Sequence, residues 1–111
     1  MIITERDGVY SAHHYTGPTH NMLRLKLERG GVQDFKVTVL PPVGECRHHE
    51  GLNAEEMLPS IRAGVARANG TLGTDFTVVH AEIVENDNRL PALYEYIAGK
   101  IIEEAAKKPS V

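Results

Sequence analysis

A six-residue run of strictly alternating apolar and charged side chains constrains the fold of this chain more than any other segment. Residues 23–28 read Leu-Arg-Leu-Lys-Leu-Glu. Because successive side chains of a strand point to opposite faces of a sheet, the run predicts a strand whose leucines enter a core and whose charges meet water. A sheet with one covered and one open face is therefore expected.

Three further segments have the composition of strands. Residues 35–39 alternate again, and a Gly-Gly pair separates them from the first run, so the two runs predict a β-hairpin. A less regular strand is expected within residues 8–15. Residues 76–84 are β-branched and apolar and predict another strand. The residues of this strand expected to face the core are Val79, Ala81 and Ile83.

Two segments have the spacing of amphipathic helices. The first is expected to begin at Asn53, whose side chain can accept from a free backbone N–H, and to stop at Asn69-Gly70. The second is expected to begin near residues 86–88, which places Pro91 in its first turn, where the missing N–H is harmless. The predicted buried positions are Leu58, Ile61, Val65 and Ala68 in the first helix, and Leu90, Leu93, Tyr94, Ile97, Ile101 and Ala105 in the second.

The predicted order of elements is β-β-β-α-β-α. Two helices on one face of a four-stranded sheet form a two-layer α+β sandwich, which buries the apolar face of each element. The 111 residues suffice for one domain of this kind, so a single domain spanning residues 1–111 is expected.

Composition excludes several classes of protein. Hydrophobic residues are 41% and charged residues 24%, which is typical of a globular domain, and no apolar run has the length of a membrane span. The formal net charge of −3 provides no overall attraction for nucleic acid, so any RNA contact depends on a local patch. A lone Cys46 cannot form an internal disulfide, and the first residues lack the pattern of a secretion signal, so a cytoplasmic location is expected.

Strands that run up and down bring three polar connections to one end of the sheet. These are the turn at 15–21, the link at 42–52 and the turn at 85–90, and together we call them the polar loop end. Their side chains are rich in neutral or cationic hydrogen-bond donors, so this end is the candidate site. Its members are Tyr15, His20, Asn21, Arg47, His48, His49, Asn86, Asn88 and Arg89.

Motifs for metals, nucleophiles and cofactors are missing from the sequence. The adjacent His13 and His14 are expected on opposite faces of a strand, where they cannot chelate one ion. The Cys-Arg-His-His-Glu segment at 46–50 lacks the paired spacing of a zinc site, and no acid is placed to orient a histidine beside Cys46. No glycine-rich phosphate loop or dinucleotide fingerprint occurs. We therefore predict no metal and no cofactor.

The segment from residue 51 to 65 resembles a known helix. It reads G-L-N-A-E-E-M-L-P-S-I-R-A-G-V, and the first helix of domain IV of translation elongation factor G has a pattern close to G-V-I-P-K-E-Y-I-P-A-V-E-K-G-I. Gly51, Glu56, Pro59 and Gly64 coincide without a gap. Proline and glycine are both costly inside a helix, so their joint recurrence is a meaningful likeness.

Two further segments extend the resemblance to about residues 8–108. The T-G-P-T-H-N sequence at 16–21 resembles the T-G-G-S-G-Q loop of the family, and E-A-A-K-K at 104–108 resembles the end of its last helix. The resemblance implies the ribosomal protein S5 domain 2-like fold, with a left-handed crossover. It also implies contact with RNA, because this domain of elongation factor G enters the decoding site and touches transfer and messenger RNA with its tip loops.

The expected function is therefore binding of RNA or the ribosome through the polar loop end. The 111 residues leave no room for a GTPase domain, so no GTPase activity is expected. Arginine and histidine side chains would contact phosphate, asparagines would bond bases or sugars, and Tyr15 would stack. The residues assigned to RNA are Tyr15, Thr16, Gly17, Thr19, His20, Asn21, Arg47, His48, His49, Asn86, Asn88 and Arg89.

Two alternatives from other classes stay open. One is a small enzyme, because formaldehyde-activating enzyme shares the broad fold, and His20 or His49 would then serve as a general acid. The other is a homo-oligomeric interaction module that uses the open sheet face or an exposed strand edge. A membrane partner is not expected.

Overall fold

The computed structural model describes residues 1–16, 19–30, 35–41, 54–84 and 90–107. It confirms an α+β protein with two helices, whereas the expectation of four strands is wrong, because the sheet has five and is mixed. The elements are β1 (Ile2–Arg6), β2 (Val9–Thr16), β3 (Thr19–Arg29), β4 (Lys36–Leu40), α1 (Ala54–Leu72), β5 (Phe76–Val84) and α2 (Pro91–Ala106).

The strand that the sequence pattern missed is β1. β1 lacks a clear alternation of apolar and polar residues, because only Ile3 packs against the core and the other four residues are exposed. The turn that joins it to β2 consists of Asp7 and Gly8, whose φ angles are 52° and 81°. Two successive positive φ angles are typical of the tight turns that match the twist of a hairpin.

The order of strands in the sheet is β1-β2-β3-β5-β4. The predicted hairpin between residues 23–28 and 35–39 is therefore wrong, because β5 lies between β3 and β4. β3 pairs with β5 antiparallel, and β4 pairs with β5 parallel, with Val39 opposite Ile83. β5 is rich in apolar residues and lies in the interior of the sheet. A strand at the edge of a sheet would not need apolar side chains along so much of its length.

A β-bulge changes which residues of β5 face the core. Lys26 pairs with His80, but the next residue, Leu27, pairs with Val78, so Val79 has no partner in the register. Val79 is 38% exposed, whereas Val78 is fully buried. The expectation that Val79 faces the core is thus wrong, since the extra residue of a bulge reverses the alternation.

Both helices cover the same face of the sheet, with α1 packed on β4 and β5 and α2 packed on β2 and β3. Leu23, Leu25 and Leu27 enter the core beneath them, while Lys26 and Glu28 are exposed on the open face, as predicted. Four residues of the predicted buried stripe of α2 are buried, namely Tyr94, Ile97, Ile101 and Ala105, whereas Leu93 is partly buried and Leu90 is 48% exposed. Among the described residues, neither helix is long and apolar enough to cross a membrane.

The helix boundaries differ from the predicted ones. α1 continues past Asn69-Gly70 to Leu72, and Gly73 follows with a φ of 68°. Asn69 lies within the helix rather than at its end. Its side-chain oxygen accepts hydrogen bonds from the Thr74 hydroxyl and from the Phe76 N–H, in the segment that leads into β5. α2 begins at Pro91, later than expected. The predicted start of α1 at Asn53 lies outside the described residues.

Candidate functional site

Among the described residues, the pairing of β2 with β3 extends beyond the pairings of these strands with β1 and β5. β1 begins with Ile2 opposite His13, and the pairing of β3 with β5 begins at Leu23. The β2–β3 pairing continues further, through His14–Asn21, Tyr15–His20 and Thr16–Thr19. We call residues 13–16 and 19–22 the hairpin tip.

The two faces of the hairpin tip carry different side chains. On β2, Tyr10 and Ala12 lie in the core, so His14 leaves the sheet on the helix side and His13 and Tyr15 leave it on the open side. On β3, the leucines set the same alternation. Asn21 therefore lies on the helix side, and His20 and Met22 lie on the open side.

Three rings meet on the open side of the hairpin tip, and we call them the aromatic platform: His13, Tyr15 and His20. Tyr15 and His20 are stacked, with ring centroids 4.6 Å apart and planes 15° apart. The rings of His13 and His20 are inclined by only 4°, with centroids 5.4 Å apart. Their facing nitrogens, Nδ1 of His13 and Nε2 of His20, are 3.2 Å apart, so the two imidazoles meet edge to edge in a hydrogen bond.

Burial affects the protonation of one ring of the aromatic platform. Partial burial lowers the pKa of His20 from its usual value of 6.5, which favours the neutral imidazole. Residues 13–16 and 19–22 include no lysine, arginine or acid. Arg24, further along the same face of β3, bonds Glu82 at 3.1 Å and Ser11 at 3.0 Å. The platform is therefore suited to stacking and hydrogen bonding rather than to charge attraction.

Helix α2 supports the hairpin tip from the other side. Asn21 is fully buried, and its Nδ2 donates to the hydroxyl of Tyr94 at 3.1 Å. Tyr94 is itself fully buried, and Tyr96 meets the His14 ring edge-on with centroids 6.4 Å apart. Asn21 was predicted to bond bases or sugars, but its side chain points into the protein, so it positions the tip instead.

Apart from Asn21, the predicted site residues divide into three groups. Tyr15 and His20 come together on the open surface, and Thr16 pairs with Thr19 at the end of the hairpin. The strands that lead into the other two connections end at Leu40 and Val84, which pair with each other at the same end of the sheet. The remaining predicted residues lie outside the described part of the chain: Gly17, Arg47, His48, His49, Asn86, Asn88 and Arg89.

Sequence reasoning missed His13 as a member of the site. It compared His13 only with its neighbour His14, and the two do lie on opposite faces of the strand. The partner of His13 is His20, on the next strand and diagonal to it in the register. A prediction of the β2–β3 register from the turn near residues 17–18 would have placed these histidines on one face.

Three cavities lined by described residues have volumes of about 310, 710 and 220 Å³, and His20 is not among the residues that line them. The first lies between the helices around Gly64 and Tyr96. The second lies on the open face between Arg6 and Glu82, and the third lies beside Met1.

The described chain is an α+β protein that presents an aromatic platform on the β2–β3 hairpin. Comparisons with protein-family models, curated proteins and solved structures find no match to it. The fold class therefore rests on the structure, and the likeness to domain IV of elongation factor G rests on the sequence segments given above.

Proposed function

We propose that this protein binds single-stranded RNA, on the ribosome or free, through the hairpin tip and the connections beside it. The observation that carries the proposal is the exposure of Tyr15, which is 61% exposed while one face of its ring is stacked on His20. Unpaired bases stack on such aromatic side chains, and single-stranded RNA is recognised largely in this way.

The support beneath the hairpin tip favours this role. A stacking surface binds more tightly when it is already ordered, because less conformational entropy is lost on binding. The buried bond between Asn21 and Tyr94 ties the tip to α2, and the stack with His20 orients the Tyr15 ring. The platform thus offers a base a preformed partner.

The phosphate contacts in this proposal come from outside the described residues. The hairpin tip has no lysine or arginine, so we assign phosphate binding to Arg47, Arg89, His48 and His49 in the adjoining connections. Asn86 and Asn88 would bond base edges or sugars. The proposed relationship to elongation factor G domain IV and to the S5 domain 2-like superfamily agrees with this arrangement, and the proposed RNA binding requires no GTPase activity.

Fluorescence anisotropy with a labelled single-stranded RNA of mixed sequence tests the proposal. Removal of one stacked base contact costs about 1–3 kcal/mol, so Tyr15→Ala is expected to weaken binding roughly 5- to 150-fold. Tyr15→Phe keeps the ring and is expected to keep most of the affinity. Leu72→Ala is the control, because Leu72 is also an exposed apolar side chain, at 42%, but ends α1 beside the start of β5, away from the hairpin tip.

Salt dependence tests the assigned phosphate contacts separately. Each of Arg47→Ala and Arg89→Ala is expected to reduce the slope of log affinity against log salt concentration by about one. The proposal fails if wild-type protein does not bind the RNA, if Tyr15→Ala binds as well as wild type, or if Leu72→Ala is equally impaired.

A further inference from the structure

Two histidines place a pair of metal-ligand atoms side by side on the open face of the hairpin tip. Nδ1 of His13 and Nε2 of His20 are 3.2 Å apart. Two nitrogens bound to one ion at about 2.0 Å each lie roughly 3.3–3.5 Å apart when the bonds form a tetrahedral or trigonal angle. To hold one ion, the two imidazoles need only move slightly apart and rotate until both facing nitrogens point toward the ion.

A thioether lies next to this pair. Met22 is directly opposite His13 in the β2–β3 register and follows His20 by two positions on β3, so the three side chains leave the same face of the sheet. Directly opposite residues have Cβ atoms about 4.5–5.5 Å apart. Met22 is only 3% exposed and is separate from the core cluster beneath the helices, so its side chain is desolvated on the open side of the sheet.

The chemistry of these ligands selects the ion. Thioether and imidazole groups suit Cu(I), whereas Zn²⁺ takes thiolate, imidazole and carboxylate ligands. The hairpin tip contains methionine and histidine but no cysteine or acid. We propose that His13, His20 and Met22 bind one Cu(I) ion. The proposal is independent of RNA binding, although His13 and His20 belong to both sites.

Binding requires both facing nitrogens to offer a lone pair. In the neutral hydrogen-bonded pair one of these nitrogens carries the shared proton. That proton moves to the outer nitrogen of the same ring when the ion enters, so a tautomer changes and no net proton is released. Tyr15 is stacked on His20 at 4.6 Å and limits the access of water to that ring.

The test is an anaerobic titration with Cu(I) in competition with a coloured Cu(I) chelator, without nucleic acid. The full chain carries Cys46→Ser, because its thiol would otherwise bind the ion. We expect one equivalent to bind. His13→Gln and His20→Gln should each weaken Cu(I) binding roughly tenfold or more. Loss of a residue that only hydrogen-bonds a metal ligand already lowers metal affinity by about that factor. Met22→Leu keeps the apolar volume, removes the sulfur and should also weaken binding.

His80→Gln is the matched control, because His80 lies on the same open face but bonds the Thr38 hydroxyl at 2.7 Å. Nuclear magnetic resonance should show Cu(I)-dependent shifts of the ring nitrogens of His13 and His20 and of the Met22 methyl group. Circular dichroism establishes that each variant is folded. The proposal is overturned if a folded double variant, His13→Gln with His20→Gln, binds Cu(I) as tightly as the parent, if the shifts occur only at other histidines, or if Zn²⁺ binds more tightly than Cu(I).

Discussion

At the scale of single residues, a buried amide and a buried phenol determine how the hairpin tip is held. Asn21 and Tyr94 are both fully buried, and they bond each other across 73 positions of sequence. A buried polar group that loses its partner destabilises a protein more than the bond itself stabilises it. The contact therefore makes the orientation of the tip depend on α2.

We expect Tyr94→Phe to lower the free energy of unfolding by about 1–3 kcal/mol, because the Asn21 amide loses that acceptor while remaining buried. Urea denaturation measures the change. Tyr96→Phe is the matched control and should have little effect, since Tyr96 is half exposed. An equal loss of stability in both variants would contradict the structural role of the Asn21–Tyr94 bond.

At the scale of elements, the two helices approach each other at Gly64. A Cβ added there would overlap the backbone carbonyl of Glu95 and lie 3.1 Å from the Cβ of Ala98. Glu95 and Ala98 belong to α2, so a larger side chain at Gly64 must push the helices apart. Gly70, in the same helix, has nothing within 4 Å of an added Cβ.

The two glycines are therefore expected to respond with opposite signs. Gly64→Ala should lower the free energy of unfolding by roughly 1–3 kcal/mol, because backbone must move in a packed contact. Gly70→Ala should raise it by as much as about 1 kcal/mol, because alanine favours helix and meets no neighbour. Thermal or urea denaturation of both variants checks this. Stabilisation by both substitutions would show that the helices do not pack closely at Gly64.

At the scale of the whole molecule, the position of β5 defines the sheet. β5 pairs with β3 on one side and β4 on the other, so the strands at the edges are β1 and β4. A sheet built on the predicted β3–β4 hairpin would instead leave one edge of β5 unpaired. Amide hydrogen exchange distinguishes these arrangements, because amides of interior strands open only in larger unfolding events.

We expect the amides of β3 and β5 to exchange most slowly and those of β1 to exchange fastest among the strands. Within β5, residues that pair on both sides, such as Ala81 and Ile83, should be protected as strongly as those of β3. Rapid exchange along one edge of β5 would contradict the strand order.

The sequence by itself determined the features that depend on local periodicity. The alternation at residues 23–28 predicted a strand with one wet face, and the helical spacing identified four of the six buried residues of α2. The up-and-down course of the chain also predicted that the strands leading into three polar connections end on one side of the sheet. Tyr15 and His20 were assigned to this end in this way, whereas their stacking is seen only in the structure.

The pairing of the strands and the contacts of each side chain could be read only from the tertiary structure. The insertion of β5 beside β3, the bulge at Val79 and the contact of His13 with His20 all depend on residues distant in sequence or on a register. Asn21 is another example. Its polarity predicted a role at the surface, but in the structure α2 covers its side chain. Local patterns specify which face of an element is apolar, but the partner of that face follows from packing of the whole chain.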